Sequence, residues 1–168
     1  MREKIVNSNG FTLVELLIVI AIIAILASVV FVALDPLTRF REARDSRRWA
    51  DISSLVNAIK VDQVDNGGSY LTAITNMASG TVYMIGTATT GCDDQNSSCD
   101  TAVSSDTACV SLAGLVAEGY LGSAPISPSG AGSWSASITG YTLQRSSTGI
   151  ITARACESEN TTEIILSR

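Results

Sequence analysis

Gly10-Phe11-Thr12-Leu13-Val14-Glu15 opens a run that stays apolar, Ser28 excepted, from Leu16 to Leu34. About nineteen helical residues at 1.5 Å rise span roughly 28 Å, close to the hydrocarbon thickness of a bilayer. The run therefore predicts a membrane-spanning helix. Glu15 is the exception at its start. An acidic side chain in such a helix costs on the order of 2.5–3.5 kcal/mol at the bilayer centre, and a residue kept at that cost has a function and a partner. Cleavage after Gly10 would put the new α-amine of Phe11 one helical turn from Glu15. There the amine of one subunit can neutralise the carboxylate of its neighbour, which makes Glu15 an assembly contact.

These residues resemble the type IV pilin superfamily, whose precursors carry a short basic leader, a Gly-Phe junction, Thr-Leu-Val-Glu and an apolar helix. The resemblance implies that a prepilin peptidase cuts at Gly10 and methylates Phe11, and that Glu15 is the assembly residue. It further implies subunits that pass through an inner-membrane assembly platform and pack by their helices into a homo-oligomeric filament. The implied location is the cytoplasmic membrane for the single-pass precursor and an extracellular pilus afterwards, with motility, adhesion or DNA uptake as its work. Within the same superfamily, the alternatives are a pseudopilin of a type II secretion system and a minor pilin that binds a ligand at a filament tip. Outside it stands a plain, uncleaved signal anchor.

Composition limits the other classes. Eleven Lys+Arg against sixteen Asp+Glu give a net charge of −5 over 168 residues, where a nucleic-acid binder shows a basic surplus. Histidine is absent, which removes the commonest general base and zinc ligand. There is no Gly-x-Ser-x-Gly elbow and no phosphate-binding glycine loop, and the two lysines, Lys4 and Lys60, give little support to a lysine-assisted nucleophile. No enzyme and no cofactor is expected.

Cys92, Cys99, Cys109 and Cys156 all follow the apolar run, and an even count in a small exported domain favours disulfides over metal. Of the three possible pairings, the expected one is Cys92 with Cys99, closing a short acidic loop, and Cys109 with Cys156, tying the early head to a late strand. Asp93, Asp94, Asp100 and Asp106 cluster in that loop, and calcium favours carboxylate oxygens. Resemblance to major pseudopilins, which bind calcium in a loop of this general region, makes these four the candidate ligands, although their spacing matches no defined calcium loop. Asn96-Ser97-Ser98 and Asn160-Thr161-Thr162 fit the N-glycosylation pattern, which is short and frequent by chance.

In chain order, residues 1–10, with Arg2 and Lys4, form a leader, 11–34 the membrane and assembly helix, 35–66 an amphipathic helical half and 67–168 a β-rich head. At Asp35-Pro36 either the helix kinks or Asp35 caps a second helix that begins with Pro36. Many pilins carry a glycine near the place of Ala24 and a proline near that of Val32; this chain has neither. Arg39, Arg41, Arg44, Arg47 and Arg48 crowd the far end of the span, where the positive-inside rule would place cytoplasm, against the outside location that the resemblance implies. Two compatible readings serve them: a solvated face pairing with Glu42 and Asp45, and contact with lipid headgroups before assembly and acidic neighbours after it. Trp49, Ile52, Leu55, Val56 and Ile59 recur at three and four residues, the pattern of one buried helical stripe, and Asn66-Gly67-Gly68 ends that helix.

Asp65-Asn66-Gly67-Gly68-Ser69-Tyr70 resembles the helix end of major pseudopilins and related small pilins, with Leu71 in place of their proline. Gly119-Tyr120-Leu121, Pro125 and Pro128 resemble a later passage of the same proteins, with Ser127 in place of an aspartate. Thr81 to Ile85 predicts a strand, Gly91 to Thr107 an acidic loop and Leu112 to Glu118 a short helix. Tyr141 to Arg145 and Ile150 to Ala155 predict a hairpin, and Glu163 to Leu166 a further strand. The order predicts an α+β fold, with a long N-terminal helix packed on a small antiparallel sheet.

Overall fold

A computed structural model of the chain describes residues 10–106 and 109–168. The leader positions 1–9, with Arg2 and Lys4, and Thr107 of the acidic loop lie outside the described residues. The chain falls into two compact units, one ending at Arg39 and the other spanning Phe40–Arg168.

In the first unit, helix α1 runs over Leu13–Leu34, and none of its residues is buried. Its 22 residues give about 33 Å of helix. With leucine, isoleucine and valine exposed on every face, it has no polar side to turn toward water. Ser28 returns its hydroxyl to the Ile25 carbonyl at 2.8 Å, so the one polar side chain inside the run needs no partner from outside. Asp35 ends α1 at φ 37°, the one non-glycine with positive φ among the described residues. Helix α2, Pro36–Asp65, starts immediately after it. Of the two arrangements open at Asp35-Pro36, the second holds. Pro36 is the first helical residue, the Asp35 carbonyl accepts from the Arg39 amide at 3.3 Å, and the Asp35 carboxylate accepts from the Thr38 hydroxyl at 2.6 Å.

In the second unit, α2 buries Ile52, Leu55, Val56, Ala58 and Ile59 against a four-stranded antiparallel sheet, order β1-β2-β3-β4. The strands are β1 Val82–Met84, β2 Tyr141–Arg145, β3 Ile151–Ala155 and β4 Ile165–Ser167. Alternation along the strands turns Tyr141, Leu143, Ile151, Ala153 and Ala155 toward α2 in one core cluster. The stripe departs from expectation at Trp49, which is 39% exposed. It also extends through polar residues in the same three- and four-residue steps, since Asp45, Arg48 and Asp62 are buried as well.

The sheet's other face is covered too. Met84, Cys92, Val103, Trp134 and Cys156 form a second cluster there, which places part of the acidic loop over the strands. The outer edge of β1 is covered by the same stretch, with Ser104 N donating to Val82 O at 2.9 Å and Val110 N to Met84 O at 2.8 Å; covering of this kind keeps a sheet edge from pairing with another chain. Short helices α3, Thr72–Thr75, and α4, Ala113–Ala117, complete the elements.

Helix α2 stops as the glycines require. Gly67 and Gly68 take φ of 63° and 95°, and Gly68 N returns to Gln63 O at 2.7 Å, a left-handed cap that a residue with Cβ resists. The buried Asp62 carboxylate then accepts from the Asn66 side-chain amide at 2.8 Å and from Leu71 N at 3.1 Å. A proline at position 71 has no N–H to give, so the departure from proline here supplies a hydrogen bond.

Candidate functional site

Two places carry the chemistry, one in each unit. At the start of α1, Thr12 is the N-cap in extended geometry and Glu15 stands at the third helical position. The Thr12 amide donates to Glu15 Oε2 at 2.9 Å and the Thr12 hydroxyl donates to the same oxygen at 2.7 Å. Glu15 N is 3.2 Å from Thr12 Oγ1. This is a capping box, in which two amides that the helix cannot satisfy are met by side chains. It starts the helix at Leu13 and leaves Gly10 and Phe11 outside it, exposed. Within a single chain, then, the Glu15 carboxylate already has partners in Thr12.

In the head, the site that sequence reasoning missed is centred on Arg48, whose side chain has no solvent exposure. Its Nε donates to Ser127 Oγ at 3.2 Å. Nη1 donates to Asp45 Oδ1 and Glu159 Oε1, both at 2.8 Å. Nη2 donates to Pro128 O at 2.9 Å and Glu157 Oε2 at 3.3 Å. A guanidinium has five N–H donors, and all five are met. Glu157 is buried and equally well used, accepting also from Ala131 N and Gly132 N, each at 2.8 Å, and from Trp134 Nε1 at 2.6 Å. The loop lies so close that a Cβ on Gly130 would strike the Glu157 carboxylate, and one on Gly132 the Trp134 ring.

Glu159 also takes Arg44, through Nε at 2.6 Å and through Nη2. These two arginines hold the Glu159 carboxyl well below its ordinary value of 4.5, at about 2, against the opposing effect of burial. Asp45 closes the network by accepting from Glu159 N and Asn160 N at 3.0 and 2.8 Å.

Of the reading of the arginines as a solvated face pairing with Glu42 and Asp45, the Arg48–Asp45 pair is present, but it is buried and extended by Glu157 and Glu159. Arg48 is internal, Arg44 is held by Glu159, and Arg47 lies 3.8 Å from Asp51. Carboxylates of the same chain thus pair Arg44 and Arg48 in the folded head, while Arg39, Arg41 and Arg47 stay exposed; since acidic residues count for little in the positive-inside rule, its conflict with an outside location stands. Ser127, noted for standing in place of an aspartate, accepts from Arg48, and Glu157 and Glu159 supply the negative charge.

The cysteines pair differently from the expected scheme. The bonds are Cys92–Cys109 and Cys99–Cys156. The short Cys92–Cys99 loop is not closed because the turn Asn96–Ser98 carries Cys99 to the end of β3, where Asp100 N meets the Cys156 carbonyl at 2.6 Å. Of the four calcium candidates, Asp93, Asp94 and Asp106 lie near one another, and Asp100 is engaged elsewhere. Asp100 accepts from Ser158 Oγ at 2.6 Å, while a hydrogen bond with Asp93, and then its charge, raises the Asp106 carboxyl. Among the described residues, no group of three or more acidic, cysteine or histidine side chains is arranged to hold a metal. Of the two sequon asparagines, Asn96 spends its side-chain amide on Val103, donating to its carbonyl at 3.0 Å and accepting from its amide at 2.8 Å. Asn160 is exposed.

A helix long and apolar enough to cross a membrane, followed by one packed on a small antiparallel sheet, defines a pilin-like α+β protein. The family described as the prokaryotic N-terminal methylation motif matches residues 6–31. The chain thus carries the signature of type IV pilin and pseudopilin precursors, and with it a membrane-anchored precursor fits. No curated protein and no solved structure matches the chain.

Proposed function

We propose that the chain is the structural, non-enzymatic subunit of a type IV pilus-like surface filament. It is cut after Gly10 by a prepilin peptidase, methylated on Phe11 and polymerised through α1. The observation that carries this reading is the combination of a 22-residue helix with no buried residue and a single carboxylate, Glu15, at its start. Such a helix is complete only in lipid or among helices like itself. In the filament, the α-amine of a neighbouring Phe11 pairs with Glu15 and sets the register between subunits, while the head faces outward.

Intact-mass and N-terminal peptide spectra of protein sheared from cell surfaces test the proposal. The expected species begins at methylated Phe11 and is four hydrogens lighter than its reduced form; a species beginning at Met1 and confined to membranes would defeat it. Glu15→Ala is expected to leave cleavage largely intact and stop filament growth, and abundant normal filaments from that variant would remove the assembly role. Extracellular fibres, as opposed to short periplasmic ones, separate a pilus subunit from a pseudopilin of a secretion system.

A further inference from the structure

We infer that the Cys99–Cys156 disulfide is a redox latch on the Arg48 network: the head grips the Arg44–Arg48 turn of α2 in the oxidised chain and releases it in the reduced one. Cys156 directly follows β3 and is buried, with its amide on Gly140 O at 2.9 Å and its carbonyl accepting from Asp100 N at 2.6 Å. Ser158 Oγ donates to Asp100 Oδ2 at 2.6 Å. The disulfide and these two hydrogen bonds stitch the acidic loop to the chain just past β3.

The next four residues carry the grip. Glu157 and Glu159 hold Arg48, Glu159 holds Arg44, and the amides of Glu159 and Asn160 rest on Asp45. Apart from Ser127 and Pro128, every head-side hydrogen bond and ion pair to Arg44, Asp45 and Arg48 among the described residues comes from within four positions of Cys156. The stretch between β3 and β4 has no regular structure of its own; the stitch fixes its start, Glu157 is held also by the Ala131 and Gly132 amides and Trp134, its far end is fixed by Glu163 and Ile164, and Glu159 and Asn160 between them are placed by the grip. The grip is also close to all-or-none, because a buried guanidinium deprived of its carboxylates is strongly unfavourable in place. Cys92–Cys109 shares the second cluster with Trp134 and Cys156 but, among the described residues, makes no hydrogen bond or ion pair to Arg44, Asp45, Arg48, Glu157 or Glu159; Cys109 N donates instead to Ala88 O at 3.1 Å.

Release requires a dithiol reductant. The Cys99–Cys156 sulfur–sulfur bond breaks, its two sulfurs take up two electrons and two protons, and the reductant closes to its own disulfide. Arg44 and Arg48, charged throughout, then face solvent without Glu157 and Glu159.

Hydrogen exchange of the full chain in detergent micelles, read by mass spectrometry on peptides covering 44–52 and 157–160, tests the latch. With dithiothreitol, and in the oxidised C99S/C156S variant, exchange of both peptides should rise at least tenfold; in C92S/C109S it should stay within twofold of wild type. Unchanged exchange in C99S/C156S, or an equal rise in C92S/C109S, would overturn the inference. If the serine pair does not fold, wild-type chain alkylated only at Cys99 and Cys156 after partial reduction carries the same comparison. E159Q, which weakens the grip and keeps the disulfide, should reproduce the exchange of the reduced chain at 44–52, and dithiothreitol should add no more than twofold. Independent, multiplying effects would show that the disulfide and the grip are not coupled.

Discussion

A guanidinium without exposure persists only where every hydrogen has an acceptor, and Arg48 meets that condition through Asp45, Ser127, Pro128, Glu157 and Glu159. Thr142 is the opposite case. Its hydroxyl is buried with no hydrogen-bond partner among the described residues, and its strand position places it opposite Met84, on the face covered by the second cluster. Burying an unpaired hydroxyl costs on the order of 1–3 kcal/mol. Thr142→Val is therefore expected to raise the free energy of unfolding by about 1 kcal/mol. A denaturant titration checks this, and a lower midpoint would reveal a partner for the hydroxyl. Neither residue was legible beforehand. Arg48 sits among four other arginines; with Arg41 and Arg44 it continues the Ile52, Leu55 and Ile59 stripe backward in the same three- and four-residue steps. A stripe sought among apolar residues alone stops before it.

At the scale of elements, sequence patterns that depend on neighbouring residues carried over well. The apolar run, the α2 stripe, the Asn66-Gly67-Gly68 stop and the β2–β3 hairpin are each written within a few residues, because helix periodicity and turn chemistry are local. The disulfide pairing was not, since it depends on where a loop folds back across the sheet, and nearness in sequence favoured the wrong partner. The α1–α2 junction was legible as a pair of alternatives, and Asp35 decides between them by adopting φ 37°. Left-handed backbone suits Asn or Gly and costs a β-branched residue about 1–2 kcal/mol. Asp35→Asn and Asp35→Gly should keep the thermal midpoint of the chain in micelles, whereas Asp35→Val should lower it. Equal midpoints for all three would mean that the junction does not require this conformation.

For the whole molecule, the consequence is a dependence on acid. Glu159 has its carboxyl depressed to about 2 from 4.5, chiefly by the Arg44 hydrogen bond and then by Arg48. A depressed carboxyl contributes stability that is present above its unfolded value and is lost as pH falls through the folded one. The stabilisation from Glu159 should accordingly disappear between pH about 4.5 and about 2. Asp106 acts in the other sense, because a hydrogen bond with Asp93 and then the Asp93 charge raise its carboxyl, so its protonation favours the folded state on acidification. Urea midpoints measured from pH 7 downward should fall across the Glu159 window in wild type and fall much less in Glu159→Gln. Parallel curves would assign the acid sensitivity to other carboxylates.

The Arg48 network also sets an order in time. Its ligands Glu157 and Glu159 lie 109 and 111 positions after Arg48. At about 5–20 residues per second, that separation corresponds to roughly 5–20 s of synthesis. Throughout that interval, Asp45 is the only carboxylate of the network yet made, and Arg44 and Arg48 lack the partners that Glu157 and Glu159 later supply. The growing chain therefore carries a more basic segment after α1, and the finished one buries Arg48 and pairs Arg44 while Arg39, Arg41 and Arg47 stay exposed. The last tenth of the sequence changes the electrostatic character of a helix that was made long before it.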